Sequence, residues 1–120
     1  MSKILTPEEC KKIVFKENSK NWNAQTKLAY LKTICDGCDY TVERKGGMII
    51  FSVRTYDDIM ELSNKKGYED VINELKERVY IAISCATKMG VKYRDDSWSY
   101  PALDAYIEVD STIEDEFPLK

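Results

Sequence analysis

Two cysteines separated by two residues, in Cys35-Asp36-Gly37-Cys38, are the strongest chemical signal in the chain. Sulfurs at that spacing share a disulfide or form half of a tetrahedral zinc site. Redox motifs place the attacking cysteine at a helix N-terminus, where the dipole lowers the thiol pKa. This pair follows an expected helix C-terminus, where the dipole does the opposite, and that argues against a thioredoxin-like activity. For zinc, Cys10 and Cys85 would have to supply the missing ligands, but they stand singly and the chain has no histidine. Cys10, Cys35 and Cys85 also fall on apolar helical stripes, where free cysteine behaves as a small buried hydrophobe. The expectation is mainly core thiols, with no metal and no cofactor.

The missing histidine removes the commonest general base, and with it Ser-His-Asp and Cys-His catalysis, histidine-ligated metals and histidine pH switching. Carboxylates offer little in its place. Glu43-Arg44-Lys45 is an acid-x-Lys of the kind found in metal-dependent nucleases, but Asp36 and Asp39 lie on or beside the same strand, the wrong geometry for one cluster. Asp95-Asp96 with Asp104 is a second carboxylate group able to attract a cation, and an acidic turn explains it equally well. Lys45-Gly46-Gly47 lacks both the Gly-x-x-x-x-Gly-Lys spacing and the following helix of a phosphate loop. No catalytic residue is assigned, and the chain reads as a non-enzymatic protein.

Charge is more informative. The formal charge of −3 divides at Arg54 into ten Lys and Arg against six Asp and Glu, then eight against fifteen, so the halves carry +4 and −7. Such asymmetry marks a nucleic-acid surface, an acidic segment for a basic partner, or self-association of opposite ends; the ordinary alternative is solvated faces on a small protein. Asp95, Asp96, Trp98, Tyr100, Asp104, Glu108, Asp110, Glu114, Asp115 and Glu116 combine carboxylates with the amphipathic aromatics that dominate binding hot spots. The plainer reading has Trp98 and Tyr100 covering the longest helix. The set is the expected docking surface for a protein partner, such as a nucleic-acid-handling enzyme with a basic cleft. A stoichiometric inhibitor or adaptor, of the sort carried by phages and mobile elements, fits that description. The alternative is a nucleic-acid-binding module using Lys11, Lys12, Lys16, Lys27, Lys32, Arg44 and Lys45. Two helices and a basic-tipped hairpin resemble, in outline only, modules in which a helix reads the major groove; the chain is acidic overall, and its helices expose few Arg, Asn or Gln residues.

The elements that position these residues are readable from periodicity. Thr6-Pro7-Glu8-Glu9 reads as a capping box opening a helix to about Glu17, and Asn23 as the cap of a second helix carrying Leu28, Leu31, Ile34 and Cys35 until Gly37. The period then drops to two. Residues 40–43 and 48–53 alternate about Lys45-Gly46-Gly47, the pattern of a β-hairpin. Met48-Ile49-Ile50-Phe51 is apolar on both sides, so this strand is covered on both faces or paired with another chain, which makes a homodimer one expectation. Thr55, followed by Asp58, reads as a further cap. Residues 68–89 form the longest helix, with Tyr68, Val71, Ile72, Leu75, Val79, Ala82, Ile83 and Ala86 at three- and four-residue spacing. Residues 91–93 fit a short strand, 94–97 a turn, and 102–109 either a helical turn or an edge strand. The expected fold is a single compact α+β domain over residues 1–109: an antiparallel hairpin, extended to three strands by residues 91–93 or 104–109, packed on the long helix with two N-terminal helices beside it. Residues 110–120 are expected to be an acidic tail. A chain of 120 residues suits one domain, and no apolar run reaches the ~20 residues of a membrane span. The N-terminus shows no secretory pattern, so a cytoplasmic protein without membrane partners is expected.

Overall fold

The first helices begin where short polar side chains satisfy free backbone amides. In the computed structural model, which describes residues 5–95 and 100–109, Thr6 and Glu9 exchange side-chain hydrogen bonds with each other's amides at 3.1 and 3.0 Å and open α1 (Pro7–Lys16). After a 3-10 turn at Ser19–Asn21, Asn23 Oδ1 accepts from the Thr26 amide at 2.8 Å and opens α2 (Ala24–Ile34). β1 (Asp39–Lys45) and β2 (Met48–Arg54) follow as the expected hairpin, in register from Asp39 opposite Arg54 to Lys45 opposite Met48. Gly46 takes φ +59° at the first of the two loop residues, a conformation closed to most side chains. α3 (Tyr56–Ser63) and α4 (Glu69–Lys88) come next, then β3 (Lys92–Asp95) and β4 (Ala102–Glu108).

Both candidate third strands form, so the antiparallel sheet has four strands in the order β1-β2-β4-β3. The molecule is a single compact α+β domain, as expected. Three local expectations are corrected. Residues 102–108 are neither a helical turn nor an edge strand but an interior strand, hydrogen-bonded to β2 on one side and β3 on the other. Arg94 and Asp95 belong to β3 rather than to a turn, while 96 and 97 lie outside the described residues. Both edges of β2 are occupied by β1 and β4, so Met48–Val53 is not open to pairing with another chain. The acidic segment 110–120 also lies outside the described residues.

The sheet has one covered face. Ile49, Phe51 and Val53 of β2 stand directly opposite Ile107, Ala105 and Leu103 of β4, all buried, and α1, α2 and α4 complete the core with Val14, Leu31, Ile34, Val79, Ala82 and Cys85. Each large side chain buried here contributes roughly 1.5–3 kcal/mol relative to exposure. Among the described residues no helix is long and apolar enough to cross a membrane.

Thr55 differs from its expected role. It precedes α3, but its hydroxyl does not cap the helix; it donates instead to the carbonyl of Pro101 at 2.6 Å, in a buried contact that joins the end of β2 to the start of β4. Thr55→Val keeps the shape and removes the donor, leaving a buried carbonyl short of a partner. Urea denaturation should show a loss of about 1–3 kcal/mol with an unchanged m-value; an unchanged midpoint would show that the contact carries no stability.

Candidate functional site

The second face of the sheet carries no helix among the described residues, and the register arranges its side chains in rows. Lys45, Met48 and Glu108 lie abreast at the hairpin end, followed by Glu43, Ile50, Tyr106 and Lys92, then Thr41, Ser52, Asp104 and Arg94. Side chains directly opposite on one face are about 4.5–5.5 Å apart at Cβ, close enough to interact. Charged residues stand on the two outer strands and at Asp104 and Glu108 of β4, while Met48, Ile50 and Tyr106 are half-buried among them.

Arg54 Nη2 donates to both carboxylate oxygens of Asp104, at 2.8 and 2.9 Å. Burial alone would push the Asp104 carboxyl up. Hydrogen bonds from Arg54 and Ser52, with the charges of Arg54 and Arg94, outweigh it and hold the carboxyl below its usual range. At the hairpin end, a shallow depression of about 630 Å³ opens over Met48, Ile50, Tyr106 and Val109. A second, of about 340 Å³, lies beyond Tyr106 and Glu108, against Lys27, Gly90 and Lys92. Burial lowers the pKa of Lys27 there, and the nearby charge of Glu108 partly offsets that effect. Tyr106 and Glu108 therefore border both depressions.

The expected partner-binding residues fall into two groups. Asp104 and Glu108 lie on this open face, Asp104 engaged by Arg54 rather than standing as a free carboxylate. Asp95 and Tyr100 lie toward the opposite end of the sheet. Asp95 pairs with Leu103, and Tyr100 sets its ring edge-on to Tyr56 with centroids 4.9 Å apart, its hydroxyl donating to Met60 Sδ at 3.3 Å. Asp96, Trp98, Asp110, Glu114, Asp115 and Glu116 lie outside the described residues. Sequence reasoning passed over Met48, Ile50 and Tyr106 as a surface. The signal was the alternation of Asp104, Tyr106 and Glu108 along one strand, which becomes legible only once that segment is assigned as β.

The basic residues do not form one strip. Lys11, Lys12 and Lys16 are exposed on α1, and Lys11 Nζ stands 5.8 Å from the Phe15 ring centroid, with Lys88 Nζ at 6.0 Å. Lys27 and Lys32 are half-buried on α2. Arg44 points to the covered side of the sheet in register with Ile49, and Lys45 stands on the open side. Glu43 and Lys45 share that open side, but Asp39 is four residues away along β1, and no three His, Cys, Asp or Glu among the described residues are grouped as a metal site. No protein-family model matches the chain, and no curated protein or solved structure is significantly similar to it.

Because the folded Asp104 carboxyl is depressed, the stability it contributes is fully present above the unfolded-chain value of about 3.9 and is lost as pH falls through the lower folded value. Asp104→Asn should therefore lower stability by about 0.5–1 kcal/mol at pH 7, a modest amount because Arg54 is 53% exposed. Urea midpoints of wild type and variant should converge as pH falls below about 3.9. A gap that persists at low pH would assign the loss to packing instead.

Proposed function

We propose that the chain is a cytoplasmic, non-catalytic binding protein, a stoichiometric inhibitor or adaptor that docks on a basic macromolecular partner. The observation that carries this reading is the continuity between the open sheet face and the acidic segment. The Val109 amide donates to the Gly47 carbonyl at 2.9 Å, which fixes the end of β4 beside the hairpin turn and the Met48–Ile50–Tyr106 depression. Asp110, Glu114, Asp115 and Glu116 follow directly in the chain. An apolar and aromatic anchor followed in the chain by closely spaced carboxylates divides the work of association: buried apolar area gives affinity, and carboxylates steer encounter with a basic cleft. Tyr106 is the central anchor in this reading, with Trp98 and Tyr100 as further anchors.

One observation favours a second reading, nucleic-acid binding by the N-terminal face. Phe15 is 47% exposed between Lys11 and Lys88, and an exposed ring flanked by cations suits base stacking and phosphate contact. The two readings use different faces, which makes them separable.

Capture experiments from a lysate of the source cells, with and without nuclease, distinguish them. Reversal of Asp110, Glu114, Asp115 and Glu116 to lysine should abolish nuclease-resistant capture without lowering the melting temperature, and Tyr106→Ala should weaken it about 30-fold, as loss of ~2 kcal/mol does. Binding that survives the reversal refutes the proposal. Nuclease-sensitive capture lost in Lys11→Glu/Phe15→Ala, with affinity falling steeply in salt, would support the second reading.

A further inference from the structure

The cysteine pair that the proposed function leaves unused is built into a defined turn. Cys35 closes α2, its amide donating to Leu31 at 3.0 Å, and the Cys38 amide donates back to the Cys35 carbonyl at 2.9 Å across Gly37, which takes φ +89°. A turn with this hydrogen bond keeps the two Cα atoms within about 7 Å, inside the range a disulfide spans with little rearrangement. Both cysteines are free, and a Cys35 thiol would donate to a Cys38 thiolate. Cys35 is fully enclosed, whereas Cys38 is 9% exposed and its Sγ reaches the Leu75 carbonyl at 3.9 Å.

A cation compensates the unfavourable end of the helix. Arg78 of α4 donates through Nη1 to the Ile34 carbonyl at 3.2 Å, which sets its guanidinium against the last turn of α2, and its charge acts on both thiols. Its buried Nε faces Glu74 Oε2 at 3.5 Å without forming a hydrogen bond. The hydrogen bond from Cys35 lowers the Cys38 thiol pKa; burial, Asp58 and Asp36 oppose that shift, Arg78 reinforces it, and the net direction is down. The same hydrogen bond and burial push Cys35 well up. Cys10 and Cys85 differ from Cys38, since burial raises the one and pushes the other up to about 12.

We propose that Cys35 and Cys38 are a dithiol–disulfide couple oxidised by low-molecular-weight disulfides of the glutathione class, with Cys38 as the attacking thiol and Cys35 as the resolving one. The Cys38 thiolate attacks one sulfur of the oxidant, forming a mixed disulfide and expelling one thiolate, which takes up the proton that Cys38 gave. Cys35 then loses its proton and attacks the Cys38 sulfur, forming the Cys35–Cys38 bond and expelling the second thiolate. One oxidant disulfide is reduced to two thiols, and the protein loses two hydrogens. The product ties the C-cap of α2 to the start of β1, so redox state is coupled to the junction between the helical layer and the sheet.

The test equilibrates the full native chain with reduced and oxidised glutathione, quenches it with acid, alkylates the free thiols and maps the peptides by mass. Wild type should lose two of its four alkylatable thiols and yield a linked Cys35–Cys38 peptide. Cys35→Ser should instead trap one glutathione on Cys38, and Cys38→Ser should trap none. Arg78→Gln should slow trapping in the Cys35→Ser background about tenfold, with Arg78→Lys restoring it; circular dichroism confirms that each variant is folded. Four thiols that stay alkylatable in oxidised buffer, a disulfide involving Cys10 or Cys85, or trapping on Cys35 in the Cys38→Ser variant would each overturn the proposal.

Discussion

The structure depends on covering one face of a four-stranded sheet. Phe51 stands at the centre of that face, fully enclosed, opposite Val42 on β1 and Ala105 on β4, with its ring centroid 5.1 Å from that of Tyr40. Small side chains lie in the same core as this large ring: Ala105 is its partner on β4, and α4 buries Ala82, Cys85 and Ala86. Interior packing at crystal-like density requires such complementarity, and small side chains on both layers let helix and sheet approach closely. Since α1, α2 and α4 are all committed to this side, Met48, Ile50 and Tyr106 are left on a face with no helical cover among the described residues. The candidate binding surface is thus a consequence of how the core is closed.

Charge distribution follows from the same topology. Along the chain, basic and acidic halves look separate; in space they are interleaved, because β4 of the acidic half lies beside β2 of the basic half. Arg54 and Asp104, fifty residues apart, are hydrogen-bonded, and Glu108 acts on Lys27. The Arg54–Asp104 pair ties up one carboxylate of the sheet face, and residues 110–116 are the segment where negative charge is densest along the chain. That is why the acidic segment, rather than the sheet itself, is assigned the steering role.

The thiols show how a local rule can be right and still incomplete. A helix C-terminus disfavours a thiolate, and Cys35 does sit at such an end with its pKa raised. Cys38, three residues on, escapes that fate because its neighbour donates a hydrogen bond and α4 brings Arg78 alongside. Local position described one sulfur; for the other, the neighbouring thiol sets the direction and Arg78, forty positions away, reinforces it.

What the sequence determined is what short-range physics controls. Thr6 and Asn23 start helices because their own side chains reach amides three residues on. Residues 39–54 form a hairpin because two glycines sit between two short segments of largely alternating polarity, and the stripe along residues 69–88 demands a helix with one buried face. Tertiary structure decided the remainder. Ala102–Glu108 carries short-range preferences that a helical turn or an edge strand would also satisfy; its interior position comes from hydrogen bonds to β2 and β3 that no local pattern encodes. Thr55 exchanged a helix cap for a buried bond to Pro101, forty-six residues distant. Which sheet face stays open and which carboxylate is paired are likewise properties of contacts between segments far apart in the chain. Their energies are gained only when the whole sheet and its helices assemble, so no single stretch of sequence can display them.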